Sequence, residues 1–228
     1  NKPMLRVLIL LSVLVPIGAC SLSQEELDLI ADYRQRGAQY YDVNDLTRAE
    51  QQARRGLEID PENSDLQHLL GRTLLKKGDS TSVQLARQHL EVAYDVADDF
   101  KTAYSLGEYH LRHAELLLGS ASALQSKVSE IGSEASAAVR SMQDEIMERK
   151  EKAFALLGEA LTLFNRALSE RAEWVEALQH RASTLALLKQ DNDAILCIEE
   201  LCAVLERSRQ NKYLKLSTQQ FDIAQETF

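Results

Sequence analysis

A unit of 34 residues that combines aromatic, apolar and small side chains recurs in weaker form along the chain, and it limits the fold more than any other feature. The clearest copy spans Ile30–Asn63, with an aromatic side chain at Tyr33 and small residues at Gly37 and Ala49. Small side chains at such positions let two helices approach closely. Pro61 near the end of the unit stops a helix. The pattern therefore predicts short helices packed in pairs and stacked in an array.

Helix-breaking residues are scarce in the rest of the sequence. The 228 residues include only 9 Gly and 3 Pro, and two of the prolines, Pro3 and Pro16, lie in the first sixteen positions. The chain is 45% hydrophobic and 27% charged, which allows one domain or one short repeat array with a buried core. We therefore expect an all-α fold. Capping boxes are predicted at Ser23-x-x-Glu26, Ser64-x-x-Gln67 and Ser217-x-x-Gln220, and a turn is predicted at Gly78-Asp79.

Weaker copies of the unit follow the first one. They begin near Ser64, near Phe100 and near Val175, and Ala160 and Ala194 lie 34 positions apart. This succession resembles the tetratricopeptide repeats, in which each unit of about 34 residues is a pair of antiparallel helices. The resemblance implies a TPR-like helical-hairpin solenoid of about 4 repeats over residues 21–213, with residues 214–228 as a capping helix. Another α-hairpin array or a bundle remains the alternative.

The third repeat contains about forty additional residues, 116–156, where a short turn is expected. Apolar or small residues recur there with heptad spacing, which is typical of packed helices. Gly132 is the best candidate for the turn of an extended antiparallel helical hairpin, with Gly119 as a rival. About twenty residues per arm would project about 30 Å. We interpret this segment as an oligomerisation or docking arm, and the alternatives are padding across the solenoid or partial disorder. The predicted seam consists of Leu124, Val128, Ile131, Ala135, Ala138, Met142 and Ile146.

The first twenty residues have the pattern of an export signal. Lys2 and Arg6 precede the apolar run Val7–Val15, and small residues follow before Cys20. The run is too short to cross a bilayer as a helix, which requires about 20 apolar residues. Residues 1–20 are therefore predicted to be a signal peptide, either of the plain secretory kind or of the lipoprotein kind.

The residues Ile17-Gly18-Ala19-Cys20 resemble the lipobox of bacterial lipoproteins. That resemblance implies lipidation of Cys20 with palmitate-type acyl chains, and two or three chains anchor a protein stably because each buried methylene contributes about 0.8 kcal/mol. Ser21 follows the cysteine where lipoproteins kept on the inner membrane have Asp. The resemblance therefore implies an outer-membrane lipoprotein that faces the periplasm.

Charge limits the classes of partner. The chain has a formal charge of −9, and Lys2 and Arg6 are the only charged residues before Ser21, so the remainder carries −11. A surface this acidic repels phosphate backbones, and we expect no nucleic-acid partner.

The resemblance to tetratricopeptide repeats also implies a groove lined by the first helix of each repeat. Five of the predicted lining residues carry a fixed positive charge, which favours an acidic or carboxylate-ended peptide, with Tyr41 and Tyr104 stacking against it. An ordinary solvated face is the alternative. The family's carboxylate clamp is not matched, because Ala38 and Leu69 occupy the positions near those of its asparagines. The predicted partner-groove residues are Arg34, Tyr41, His68, Arg72, Lys76, Lys101, Tyr104 and Arg112. The repeat pattern also assigns Glu108, Glu176, Gln179 and Ser183 to the groove.

The sequence offers no motif for catalysis or cofactor binding. It lacks the His-Glu-x-x-His, Gly-x-Ser-x-Gly and phosphate-loop patterns. His110 and His113 share a helix face with Glu108, but no fourth zinc ligand accompanies them. We therefore expect no enzyme activity, no cofactor and no metal site.

The leading hypothesis is a lipid-anchored, periplasm-facing scaffold for protein–protein interaction, similar to pilotins and envelope adaptors. The alternative is a lipoprotein similar to the T-component of TRAP-type transport systems, which would bind a small ligand as an oligomer. An open groove would favour the scaffold, whereas an apolar ligand-sized cavity and a stable homo-oligomer would favour transport.

Overall fold

The computed structural model describes residues 22–131 and 137–226. All regular secondary structure in these ranges is helical, as predicted. The helices are α1 (Gln24–Asp42), α2 (Leu46–Ile59), α3 (Ser64–Lys77), α4 (Ser80–Ala97), α5 (Phe100–Ile131), α6 (Ala137–Glu170), α7 (Val175–Leu187) and α8 (Asp191–Glu226). The signal peptide, Cys20 and the turn predicted at Gly132 lie outside the described residues.

Polar caps fix the starts of the first five helices. Ser23 and Glu26 form the predicted capping box of α1, in which the Ser23 N–H donates to the Glu26 carboxylate at 2.8 Å. The second predicted box is wrong by one residue, because Asn63 caps α3 instead of Ser64. The Asn63 side-chain oxygen accepts a hydrogen bond from the Leu66 N–H, as asparagine does well at this position.

Small residues hold the two helices of each pair together. A Cβ atom on Gly71 of α3 would lie 2.6 Å from Cγ of Leu90 in α4, and one on Gly107 of α5 would lie 2.9 Å from the ring of Phe164 in α6. These distances are shorter than van der Waals contact. The most extensive contacts between helices join α1 to α2, α3 to α4, α5 to α6, and α7 to α8.

The pairs stack in chain order. Helix α1 contacts α3, α3 contacts α5, and α5 contacts α7. We call α1, α3, α5 and α7 the inner helices. A central apolar cluster, which includes Leu70, Leu90 and Leu106, joins the middle pairs, and a second cluster around Leu178 and Cys197 joins α7 to α8.

Helices α5 and α6 are about twice as long as their neighbours and run antiparallel. Gly107 faces Phe164 near one end of the pair, and Val128 shares a cluster with Val139 near the other. We call residues 100–118 and 150–170 the inner parts of these helices, and residues 119–131 and 137–149 the outer parts. The predicted segment 116–156 covers the outer parts, and its interpretation as an insertion in a repeat stays a prediction.

The predicted seam of the outer parts is partly wrong on both helices. Val128 and Ile146 are buried as predicted, but Ile131 at the end of α5 is 52% exposed, and Val139 of α6 is buried in place of Ala138. Ala135 lies outside the described residues. The heptad was counted through the turn, and a turn between two helices resets the register.

The last helix has no break near residue 214. Helix α8 continues from Asp191 to Glu226, so no helix begins at Ser217, where a capping box was predicted. No glycine or proline follows Asp191 to end the helix earlier. The predicted capping helix 214–228 is thus, as far as Glu226, the continuation of α8. Across the two described ranges, no helix is both long and apolar enough to cross a bilayer.

Candidate functional site: a groove along the inner helices

Three adjoining cavities follow the inner helices and together form what we call the inner groove. The aromatic pocket, of about 210 Å³, lies between α3 and the start of α5. The middle cavity, of about 230 Å³, shares Arg72 and Tyr104 with it. The third cavity, of about 620 Å³, shares Glu108 and Arg112 with the middle one and reaches Ser183 on α7. Because neighbouring cavities share lining residues, the three form one continuous surface.

Seven of the eight predicted groove residues line these cavities. The spacing explains this placement, because residues four apart lie on one face of a helix. The exception is Arg34, which is exposed on α1 and forms an ion pair with Asp65 of α3. The seven are Tyr41, His68, Arg72, Lys76, Lys101, Tyr104 and Arg112.

Tyr41 is held by two cations from α3. The Arg72 guanidinium donates to the Tyr41 hydroxyl at 3.2 Å and lies 4.7 Å from the ring centroid, and the Lys76 ammonium lies 4.5 Å from the same centroid. Cation–π contacts of this kind order both partners. Tyr41 therefore orients Arg72 and Lys76. Because its ring is already in contact with these two cations, it is a weaker candidate for stacking on a bound peptide than the sequence suggested.

Tyr104 belongs to an aromatic stack. Its ring lies parallel to the imidazole of His180 with centroids 5.6 Å apart, and Trp174 lies 4.3 Å away. Burial is the main cause that raises the pKa of Tyr104 above its ordinary value, so the hydroxyl stays protonated. Tyr104 is thus a wall shared by two cavities rather than a free stacking surface.

His68 is neutral at physiological pH. Burial, reinforced by the nearby Arg72 charge, lowers its pKa to about 4. Its Nε2 atom lies 2.8 Å from the hydroxyl oxygen of the buried Ser105. The imidazole therefore contributes a hydrogen-bonding wall and no charge.

Two of the five predicted free cations are already neutralised. Arg34 pairs with Asp65, and Arg112 pairs with Glu108 at 2.8 Å. Within the described part of the chain, Arg72, Lys76 and Lys101 have no carboxylate within 4.0 Å. An anionic ligand in the groove would therefore be attracted by the positive charges of Arg72 and Lys76 on α3 and of Lys101 at the start of α5.

Sequence reasoning missed several residues that line the groove, among them Arg171, Trp174 and His180. Arg171 and Trp174 come from the turn between α6 and α7 and enter the aromatic pocket beside Phe100. His180 lines the largest cavity, and its Nδ1 atom is buried without a hydrogen-bond partner. The first two lie outside the helix positions that the repeat pattern assigns to the groove. His180 sits next to Gln179, which the pattern did assign, so helical register alone could have suggested it.

The cavities do not favour the transport hypothesis. The third cavity is lined partly by Glu108, Arg112 and Glu115, so it is not an apolar chamber for a small ligand. Over residues 22–131 and 137–226, no group of three or more His, Cys, Asp or Glu side chains is placed to hold a metal ion. The groove offers charge and aromatic surface for binding.

Comparison with known proteins does not assign the chain to a family. No protein-family model matches it, and no curated protein matches it. Similar solved structures include YrrB, described as a TPR protein with an unusual peptide-binding site, at 19% identity over 84% of this chain and 94% of that chain, with a TM-score of 0.35. A MamA protein is 14% identical over 80% of this chain and 95% of that chain, with a TM-score of 0.35. An O-GlcNAc transferase of Thermobaculum terrenum is 17% identical over 72% of this chain but 23% of that chain, with a TM-score of 0.49. With all three scores below 0.5, the case for a function rests on the geometry of the groove.

Proposed function

We propose that this protein is a lipid-anchored tetratricopeptide-type scaffold that holds an acidic segment of a partner protein in the inner groove. The observation that carries the proposal is a continuous groove with unpaired cations on a chain whose formal charge is −9. Positive charge concentrated on one face of an acidic protein steers and orients an acidic partner. The role is one of binding, not of catalysis.

The arrangement of the helices supports the tetratricopeptide assignment. The antiparallel pairs stack with α1, α3, α5 and α7 in contact along one side, and that side carries the groove. A row of first helices gives an extended chain a surface to lie on. The repeat spacing of the sequence and the geometry of the pairs thus point to the same fold.

The anchor and the location are proposed from the N-terminal sequence. The apolar run, the lipobox-like residues and Cys20 support attachment by acyl chains, and Ser21 supports the outer membrane. Helix α1 begins at Gln24, four residues after the cysteine, so the first helix pair would lie within about 15 Å of the bilayer. The groove would then face the periplasm in an envelope assembly.

Charge reversal tests the groove. The variant carrying Arg72→Glu and Lys101→Glu is expected to lose partner capture from detergent-solubilised envelope, measured by pull-down and mass spectrometry. The matched control carries Arg55→Glu and Lys152→Glu, which make the same change in charge at exposed sites outside the cavities and outside the outer parts of α5 and α6. Both variants should unfold at similar temperatures. Unchanged capture by the first variant rejects the groove.

Substitution of the anchor residue tests the location. Wild-type protein should fractionate with outer membranes and show a mass increase from acyl chains at Cys20. Cys20→Ser should release the protein into the periplasmic extract, because a single hydroxyl side chain cannot carry the thioether lipid. A wild-type protein that is soluble and unmodified contradicts the anchor.

The outer parts of α5 and α6 are proposed as an arm for self-association. Ile131 and Met147 are 52% and 60% exposed there, and large apolar side chains of this kind often mark contacts with another chain. Met147→Glu is expected to reduce association in analytical ultracentrifugation, whereas Val43→Glu, a change at an exposed valine between α1 and α2, should not. Equal behaviour of the two variants argues against the arm.

A further inference from the structure

We infer that the aromatic pocket is the anchor site of the inner groove and takes a carboxylate that sits next to a flat apolar group, as in the last residue of a peptide with an aromatic or large apolar side chain. The inference rests on the proposed binding function and names the part of the partner that is recognised. The pocket is lined by His68, Arg72, Phe100, Lys101, Tyr104, Ser105, Arg171 and Trp174.

Three cations converge on the pocket from three separate elements. Arg72 comes from α3, Lys101 from the first turn of α5, and Arg171 from the turn that precedes α7. Each lacks a carboxylate within 4.0 Å among the residues that the structure describes. Unpaired cations that face one cavity favour an anion, and arginine binds carboxylates with two parallel hydrogen bonds.

Asp99, which precedes the pocket residues Phe100 and Lys101 in the chain, is already engaged by backbone hydrogen bonds. Asp99 accepts hydrogen bonds from the backbone N–H groups of Lys101 and Thr102 at 3.0 and 2.8 Å, which fixes it at the start of α5. These hydrogen bonds lower the pKa of Asp99 despite partial burial. Its charge is thus directed at the end of the helix, and the three cations remain available to a ligand.

The walls of the pocket are aromatic. Trp174 meets Phe100 edge to face with centroids 5.6 Å apart, and it lies 4.3 Å from Tyr104. The Arg171 guanidinium lies over the Trp174 ring at 5.6 Å, which places a cation beside an apolar surface. A site of this composition recognises charge and flat apolar area together.

The size of the pocket sets how much of a ligand it takes. About 210 Å³ is enough for one large side chain with its carboxylate and too small for several residues. The pocket opens on the middle cavity through Arg72 and Tyr104, so the chain that precedes the terminal residue would continue along the groove. Neutral His68, which is hydrogen-bonded to Ser105, forms a polar part of the wall that neither repels nor attracts a charged group.

Peptide pools with and without a terminal charge test the inference. The probes are fluorescein-labelled random octapeptides that end in Phe with a free carboxylate, and the same pool with a terminal amide. Affinity is measured by fluorescence anisotropy, and Trp174, the single tryptophan of the chain, reports by its emission whether the pocket is occupied. We expect the acid pool to bind at least about tenfold more tightly than the amide pool.

Substitution in the pocket separates this inference from the proposed function. Arg171→Gln should weaken the acid pool about tenfold and leave the amide pool unchanged, because only the acid uses the guanidinium charge. Arg55→Gln, at an exposed position of α2 outside the cavities, is the matched control and should change neither. Equal affinity for both pools, or no change in Arg171→Gln, overturns the carboxylate pocket, whereas loss of partner capture in the charge-reversal variant would still uphold the groove.

N-acetylphenylalanine distinguishes the source of the carboxylate. This compound carries the same carboxylate and ring without a preceding chain. Binding about tenfold weaker than that of the acid pool supports a peptide terminus, because the chain then adds contacts along the groove. Equal affinity assigns the pocket to a free small acid and overturns the peptide source. Failure of all three probes to change Trp174 emission rejects the pocket.

Discussion

The inner and outer parts of α5 and α6 are built from the same helix pair but are stabilised in different ways. The inner parts contain buried residues such as Leu157 and Phe164 and also pack on neighbouring helices, since Leu163 belongs to the central cluster and Leu168 to the cluster of α7 and α8. The outer parts bury Ala121, Val128, Val139 and Ile146 between two helices alone.

This difference shows how little stability an extension gains from the rest of a helical solenoid. We call the described helices without the outer parts of α5 and α6 the body. A helix pair of the body gains apolar burial from each pair that stacks against it, whereas the outer parts gain it only from one another. Two helices alone bury little area, so local opening of the outer parts should cost less free energy than global unfolding. The groove lies wholly on the body, where the side chains that orient one another are held rigid.

The largest expected effect follows from removing the aromatic ring of Phe164 from the inner part of α6. Phe164 is completely buried and contacts the surface of Gly107, and its ring lies 5.9 Å from that of Tyr104. Phe164→Ala should lower the free energy of unfolding by about 3–5 kcal/mol, because it leaves a large cavity in the body. Urea denaturation followed by circular dichroism measures it. A loss below about 1 kcal/mol would mean that the inner parts are no better supported than the outer ones.

A truncation in the outer parts sharpens the comparison. Ile146→Ala removes a side chain that is only 3% exposed, and it should cost about 2–3 kcal/mol of local stability. Amide hydrogen exchange should accelerate in residues 119–131 and 137–149, while the urea midpoint of the body changes little. If the whole chain shifted as one unit, the distinction between the two parts would be wrong.

The sequence predicted the helical pairs well because their ends and contacts are local. The Ser23 capping box formed, and Gly78 ends α3 in the left-handed conformation with φ of 76°, next to Asp79 where a turn was expected. The seam of the outer parts was predicted only in part, because the register on either side of a turn depends on the packing of the two helices.

The groove was predicted in outline but not in charge. Glu108 lies four residues before Arg112, a spacing that could have revealed their pairing, whereas Arg34 and Asp65 are 31 residues apart and meet only in the fold. Arg171 enters from a turn, for which the repeat pattern assigns no direction. Sequence alone therefore identified the lining helices, and the unpaired cations required the tertiary structure.

Acid should weaken the body and leave the outer parts unchanged. Burial lowers the pKa of His68 to about 4, so between pH 6.5 and 4 the unfolded chain binds a proton that the folded chain does not. This contribution to stability is complete above pH 6.5 and is lost as the pH falls toward 4, and it amounts to about 2 kcal/mol between pH 7 and pH 5. Burial also lowers the pKa of the other histidines, and none lies in the outer parts: His89, His110, His113 and His180.

Urea denaturation at the two pH values measures this loss. His68→Gln should show a smaller decrease in stability on acidification than the wild type, because glutamine does not titrate. Exchange in the outer parts, corrected for its intrinsic pH dependence, should give the same local stability at pH 7 and pH 5. An identical decrease in the variant and the wild type would remove His68 as a cause.

The same substitution at two glycines of α5 should have opposite signs. A Cβ on Gly107 would lie 2.9 Å from the ring of Phe164, which cannot move because it is completely buried. Gly107→Ala should therefore destabilise the protein by about 1–2 kcal/mol through overpacking. The measurement is the urea midpoint. A neutral or stabilising result would show that the packing of Phe164 against Gly107 can adjust to a methyl group.

Gly119 provides the matched position in the outer parts. A Cβ there would have no atom within 4 Å, and the residue lies inside a helix. Gly119→Ala should stabilise the outer parts by about 0.5–1 kcal/mol, because alanine loses less conformational entropy than glycine on forming helix. Slower hydrogen exchange confined to residues 119–131 and 137–149 is the expected signature. A gain that spreads to the body would mean that the two parts unfold together, whereas a loss would mean that another chain approaches Gly119 closely and that the outer parts are packed against a partner.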